Sequence, residues 1–488
     1  MAVDIATERE GFISRHGLWT EEQQAAAAEV RGRIEADGIR QVRVGWPDQH
    51  GIVRGKSLVT ADFLDSLEHG RDMQTAVLIM DTMNNPIVPF FAPEGGELAI
   101  PELEGMGDAI LVPDPATFRV LPWAEHTGWV LADMYFTNGQ PVPLSTRNVL
   151  KCQLAELEQR GYGFTAGLEV EFYITRMDDP KLSCEASGWP PDPPEVSAIA
   201  HGYQYLTENR NDEIDAILTP LHNALLAVGL PLRSMEDEWG PGQCEFTFGA
   251  SSGLQPADDM ILFRTAAKQV CRRLGYHATF MCRPGLPNFF SSGWHLHQSL
   301  TDLRTGENAF VSKGEHHLSP LGEQYVAGAL EHAAASCVFT TPTINGYKRY
   351  KPHSLAPINV TWSLENRGSL IRVIGMPGDA HTHVENRAGE PAANPYLYMA
   401  SQVAAGIDGI DRELDPGPPA TGDPYAAVRP ALPRNLIESV AALRSSELFR
   451  KAFTSQFVDY ITLMKEFEMN RFMGEVTDWE QREYFDVY

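Results

Sequence analysis

Residues 167–173, GLEVEFY, set Glu169 and Glu171 one residue apart in an otherwise apolar run. On a strand these two share a face, while Leu168, Val170 and Phe172 point the other way. Adjacent carboxylates in a packed setting repel unless a proton or a cation lies between them. Mg²⁺ and Mn²⁺ favour carboxylate oxygens and are the natural counter-ions. For one such pair alone, a simply solvated strand face is the more ordinary explanation. EDEWGPGQCEF (236–246) folds Glu238 back towards Glu245 across the turn Gly240-Pro241-Gly242. SSGWHLHQSL (291–300) puts His295, His297 and Ser299 on one strand face. Neutral imidazole suits a metal, and a donating one suits phosphate. Arg367, Arg372 and Arg387 lie within 21 residues, beside Glu385. Their planar forks match carboxylate and phosphate. An acidic turn, a half-buried histidine and a surface ion-pair network would account for these stretches singly. With Arg349 added, five carboxylates, two histidines and four arginines in strand-like, apolar contexts call for chemistry.

These side chains need elements to hold them. TEEQQAAAAEVRGRIEADG (20–38) predicts a helix with a Thr20/Gln23 capping box and Gly38 beyond its end. QVRVGWPDQHGIVRGKSLV predicts two strands about a PDQHG turn. Residues 60–135 form the rest of a small, proline-punctuated domain, with a boundary between 125 and 140. A helix over 145–162 leads into the Glu169 strand, and the Pro-rich insertion 178–200 predicts a surface loop. Further helices are expected at 212–228, 256–274 and 319–339. Strands and helices do not alternate as βαβ units, so the fold class is α+β. At 488 residues the chain exceeds one ordinary core, and 43% hydrophobic with 21% charged residues is a globular balance. A net charge of −26 disfavours nucleic acid as a partner. No apolar run is long enough to span a membrane, and MAVDIATERE lacks an apolar leader. The six cysteines show no metal or CxxC spacing and suit reduced thiols, so a cytoplasmic protein is expected.

Taken in order, DQHGIVRGKSL, PDPATFRVLPW, GLEVEFY, GPGQCEF, GWHLHQSL, NGYKRYKP, ENRGSLIRV, ENRAGEPAANPYL and VTDWEQREY resemble glutamine synthetase and the related γ-glutamyl-amine ligases over nearly the whole chain. The resemblance implies a small N-terminal β-grasp-like domain (15–135). It also implies a C-terminal catalytic domain (136–488) with a curved antiparallel sheet flanked by helices. It implies ATP as co-substrate and two or more Mg²⁺ or Mn²⁺ ions per site. Glu171, Glu238 and Glu245 match the ligands of one metal, and Glu169, His295 and Glu385 those of the other. His297, Ser299 and Arg372 match positions near the nucleotide. Arg349, Arg367 and Arg387 match arginines on the glutamate carboxylate and the transferring phosphoryl group. Asp48 matches an aspartate that an adjacent subunit lends to the amine site of a homo-oligomer, a dodecamer of two hexameric rings. The implied chemistry is phosphorylation of the L-glutamate γ-carboxylate by ATP, then attack of an amine on the acyl phosphate.

The chain departs from glutamine synthetase at the amine. PHSLAP (352–357) sets Leu355, with Ser354 beside it, where the ammonia-using enzymes carry a flap glutamate. A leucine favours an organic substituent over hydrated ammonium. PNFFSSGWH brings Phe289, Phe290 and Trp294 where relatives are glycine-rich, an apolar wall suited to an aryl or branched alkyl amine. Arg283 replaces a lysine and His383 a nucleotide-contacting arginine. Tyr425 falls near a nucleotidylation site of some relatives but reads as a surface tyrosine. The expected function is therefore ligation of glutamate to a hydrophobic primary amine, an arylamine such as aniline or a small alkylamine. Glutamine synthetase proper and a non-catalytic regulatory relative are the rivals.

Overall fold

The computed structural model describes residues 10–179 and 183–488. The leader reading of residues 1–9 and the insertion positions 180–182 lie outside the described residues. Two compact units divide the chain. The first takes residues up to Leu78, Val88–Asn148 and Asn223–Leu230; the second takes Ile79–Ile87, Val149–His222 and Pro231–Tyr488.

In the first unit, the helix Glu21–Ala36 opens with the expected capping box, Thr20 and Gln23 satisfying each other's backbone N–H groups. Strand β1 (Gln41–Pro47) turns into β2 (Val53–Val59), with Trp46 opposite Arg54. The sheet is completed by β3 (Arg71–Gln74), β4 (Asp108–Pro113), β5 (Arg119–Val120) and β6 (Thr127–Phe136), in the order β2-β1-β6-β4-β3 with β5 on β6. The central β1 runs parallel to β6 and buries Val42, Val44 and Trp46. The Asp48 carboxylate organises the β1–β2 turn. It accepts from the N–H groups of His50 and Ile52, both at 2.9 Å, and from Arg54 Nε at 2.8 Å. Buried Arg147 bridges Asp114 and Asp133 at 2.7 and 2.8 Å, so neither acid is left as an unpaired charge.

The second unit is built on β7 (Tyr162–Met177). The other strands are β8 (Val196–Ala198), β9 (Leu232–Asp237), β10 (Gln243–Phe248), β11 (Ser251–Ser252), β12 (Tyr276–Thr279), β13 (Trp294–Asp302), β14 (Trp362–Leu364), β15 (Ile371–Ile374) and β16 (His383–Asn386). Their order is β14-β15-β16-β13-β7-β10-β9, with β8, β11 and β12 also on β7. All the pairs are antiparallel except β14 with β15, and the sheet curls, as the α+β reading expects. Leu168, Val170 and Phe172 form the dry face of β7. Phe172 meets Phe246, Phe263 and Phe280 with ring centroids 5.1, 5.5 and 5.0 Å apart. Fully burying such a side chain contributes about 1.5–3 kcal/mol, which fixes which face of β7 looks inward. Phe263 comes from the helix Gln255–Arg273. Two expectations are corrected. The insertion is not all loop, because Val196–Ala198 adds β8 to the end of β7. The helix expected at 319–339 is two, Pro320–Glu331 and Ala333–Thr340, broken at His332. Among the described residues no helix is long and apolar enough to cross a membrane.

Candidate active site

The face of β7 opposite the phenylalanines carries the acidic residues, and strand register gathers their partners. Glu171 lies opposite Glu245 of β10, and Glu169 opposite His295 of β13. His297 is opposite Glu385 of β16, which is opposite Arg372 of β15. Glu169 is the hub, with one oxygen 2.6 Å from His295 Nδ1 and the other 3.1 Å from His297 Nε2. Glu385, with no exposed side-chain surface, takes Arg387 and, at 3.2 Å, Arg372. Buried Arg349 reaches His295 Nε2 at 3.3 Å and donates to the Arg387 carbonyl at 3.0 Å.

Charge divides this cluster into two halves. Burial would raise Glu169 and Glu385, but the neighbouring histidines outweigh it at both, with Arg387 helping at Glu385, and hold the two carboxyls low. Glu238 and Glu245 are pushed the other way. Burial and the negative charge of Glu171 push Glu238 up to about 8. Burial together with Glu169, Glu171 and Glu238 pushes Glu245 up to about 10. Glu238 and Glu245 cannot both share the cleft as anions unless positive charge enters, so the donor set fits divalent cations. Donor atoms of Glu169, Glu245 and His295 come within 4.8 Å of one another, as do those of Glu169, His297 and Glu385. Glu169 belongs to both groups, His295 to one and His297 to the other.

The glutamine synthetase catalytic domain model matches residues 143–484. The chain belongs to the glutamine synthetase family. It is 43% identical to the Gamma-glutamylanilide synthase of an Acinetobacter species, over 99% of this chain and 100% of that one. It is 32% identical to the Glutamate--isopropylamine ligase of a Pseudomonas species, over 96% and 100% of the two chains. The solved structure "GmaS/ADP complex-Conformation 1" is 24% identical, covers 95% of this chain and 99% of its own, and superposes with a TM-score of 0.78, a likeness of fold.

The remaining positions singled out from the family resemblance fall as follows. Exposed Arg367 meets the cluster through its carbonyl, which accepts from Arg387 Nε at 2.9 Å. Ser299 follows His297 on the same face of β13, opposite Thr165. Arg372 divides its fork between Glu365 and Glu385. His383 holds His297 Nδ1 at 3.0 Å. Arg283 donates to Ser291 Oγ at 3.2 Å. Leu355 is half exposed at φ 60°, and its carbonyl accepts from Arg387 at 3.4 Å. Ser354 Oγ donates to the Lys351 carbonyl at 2.7 Å. Phe290 is half exposed, whereas Phe289 stacks on Tyr173 in the interior. Trp294 is fully buried, edge-on to Tyr398 at 4.9 Å, so it belongs to the core and not to an amine wall. Tyr425 is half buried, and its hydroxyl donates to the Ala356 carbonyl at 3.1 Å, so it braces the Leu355 loop. Asp48 belongs to the first unit and is buried in its turn. Sequence reading missed Gln243, which donates to Glu171 at 2.9 Å and to Ser292 at 3.1 Å and accepts from Tyr173. Its two-residue spacing from Glu245 was the available signal, since both share one face of β10.

Proposed function

We propose that this chain is an ATP- and divalent-cation-dependent ligase that joins the γ-carboxylate of L-glutamate to a hydrophobic primary amine. Arylamines such as aniline come first, small alkylamines next. The observation that carries this reading is the carboxylate–imidazole row, flanked by Arg349 and Arg387, beside a loop that offers Leu355 in place of a carboxylate. The names of the two curated relatives point to the same class of acceptor.

Glutamate's γ-carboxylate attacks the terminal phosphorus of ATP, giving γ-glutamyl phosphate and ADP. Arg349, Arg367 and Arg387 would orient the substrate carboxylate and balance the phosphoryl charge, while His297, Ser299 and Arg372 would border the nucleotide. Bound Mg²⁺ or Mn²⁺ would draw negative charge from the phosphoryl oxygens, with Glu169, Glu171, Glu238, Glu245, His295, His297 and Glu385 as the available holders. The amine nitrogen then attacks the acyl carbon and phosphate leaves. Water must be kept from the acyl phosphate, and the exposed Leu355 side chain is suited to that. We further propose a cytoplasmic dodecamer of two hexameric rings, in which the Asp48 turn of one copy completes the amine site of the next.

One acceptor panel tests the reading. ATP- and glutamate-dependent phosphate release is measured with ammonium, aniline, isopropylamine and putrescine. Aniline is expected to give the highest kcat/KM. Saturation by ammonium at low millimolar concentration, with no gain from organic amines, would return the chain to glutamine synthetase proper. No turnover with any amine and either metal, in a folded sample, would make it a non-catalytic relative.

A further inference from the structure

Four aromatic side chains beside the acidic cluster are left half in solvent. Trp239 follows Glu238 directly, and its backbone N–H donates to that carboxylate at 3.2 Å. Its ring lies nearly parallel to Tyr205, with centroids 5.3 Å apart and planes at 14°. On the Glu171 side, Phe290 packs on Tyr203 at 4.8 Å and 51°. A short relay fixes Phe290 to the cluster. Its N–H donates to the Tyr173 hydroxyl at 2.8 Å, that hydroxyl donates to Gln243 at 3.2 Å, and Gln243 donates to Glu171 at 2.9 Å. Exposures are 46% for Tyr203, 48% for Tyr205, 48% for Trp239 and 42% for Phe290, against 7% for Phe289 and 0% for Trp294. Large rings held at a reactive cluster yet half open to water are a surface waiting for an apolar occupant.

We propose that Tyr205 and Trp239, with Tyr203 and Phe290, form the wall that selects an arylamine as the acceptor; this deepens, and rests on, the ligase reading above. A flat ring gains stacking or edge contacts from aromatic neighbours that an aliphatic ring of equal size cannot match. An arylamine is also neutral at neutral pH, so its nitrogen reaches the acyl phosphate as a free nucleophile. A cyclohexyl or isopropyl amine arrives as an ammonium ion. Trp faces attract such a cation, but bound in that form it holds no lone pair for attack. The wall therefore works by favouring the ring, and charge would give the opposite preference.

The test compares aniline with cyclohexylamine, its saturated counterpart, as acceptors for the full-length protein. The quantity read is the ratio of their kcat/KM values. Trp239→Leu and Tyr205→Leu are each expected to lower that ratio about tenfold, mostly through the KM for aniline, and Trp239→Phe to keep it within about threefold. Half-exposed side chains leave no sealed cavity when shortened, and melting temperatures are read alongside. If one leucine variant fails to fold, the other and Phe290→Leu give the same ratio. A ratio within twofold of the parent in all folded leucine variants overturns the wall while leaving the ligase reading intact. A parent protein without glutamate-dependent turnover on any amine removes both.

Discussion

Glu238 and Glu245 are acids that this protein holds in a place where they cannot comfortably be anions, with burial and neighbouring glutamates pushing them to about 8 and about 10. A cation relieves that crowding. Mg²⁺ or Mn²⁺ at a hundred times its Kd should therefore stabilise the fold by about 2.7 kcal/mol, and chelation should remove the gain. Glu245→Gln should raise the melting temperature of the metal-free protein and shrink the metal-induced shift; calorimetry with and without chelator measures both. Glu390 offers a second, independent case. It is fully buried, with its oxygens bonded by Thr343 N–H at 2.8 Å and Thr343 Oγ1 at 2.9 Å, and burial pushes it up to about 7. A raised carboxyl binds its proton more tightly in the folded chain than in the unfolded one. Below pH 4.5 both states are protonated and nothing is lost; above about 7 both are ionised and the fold bears the full penalty. Stability should thus fall by up to about 3 kcal/mol as pH rises across that window. Glu390→Gln should remove the fall, a difference that denaturant titrations at pH 5 and pH 8 would expose.

At the scale of elements, register does most of the assembly. Glu245 of β10 and His295 of β13 stand across from acids of β7, and His297 of β13 across from Glu385 of β16, so the site is the product of strand pairing more than of loop shape. That is why much of it was legible in the sequence. The period of two in GLEVEFY and WHLHQSL already says which side chains share a face. The capping box of Glu21–Ala36 and the Asp48 turn were legible for the same reason, being set by local chemistry. What stayed hidden depends on contacts far apart in the chain. Nothing near Trp294 says that Tyr398 will cover it, and Trp239 and Tyr205 meet across 33 intervening positions. The hub position of Glu169 between His295 and His297 likewise depends on side-chain geometry that spacing does not encode. The turn between β9 and β10 gives a sharp test. Gly242 sits at φ 89°, and a Cβ there would stand 2.5 Å from the Ile174 carbonyl oxygen. Gly242→Ala should cost about 1–3 kcal/mol of stability by urea titration and lower ligase activity more than stability alone explains, because the turn sets Glu238 against Glu245.

For the molecule as a whole, the proposed shared site makes a prediction that single-chain enzymes cannot meet. Asp48→Asn and Glu245→Gln chains should each be inactive, yet subunits mixed under dissociating conditions and reassembled should regain activity in about a quarter of the sites, where an intact Asp48 meets an intact Glu245. Activity that never returns in a reassembled mixture of confirmed mass would place Asp48 outside the site. A last consequence concerns β7, a 16-residue strand that pairs with β8, β10, β11, β12 and β13 at once. Losing or gaining a single codon within it would flip the acids inward and the phenylalanine core outward, undoing the fold and the chemistry in one stroke. Over generations, then, this strand is a fixed ruler. Novelty in the choice of acceptor can accumulate only in the connections around it, where Tyr205, Trp239, Phe290 and Leu355 reside.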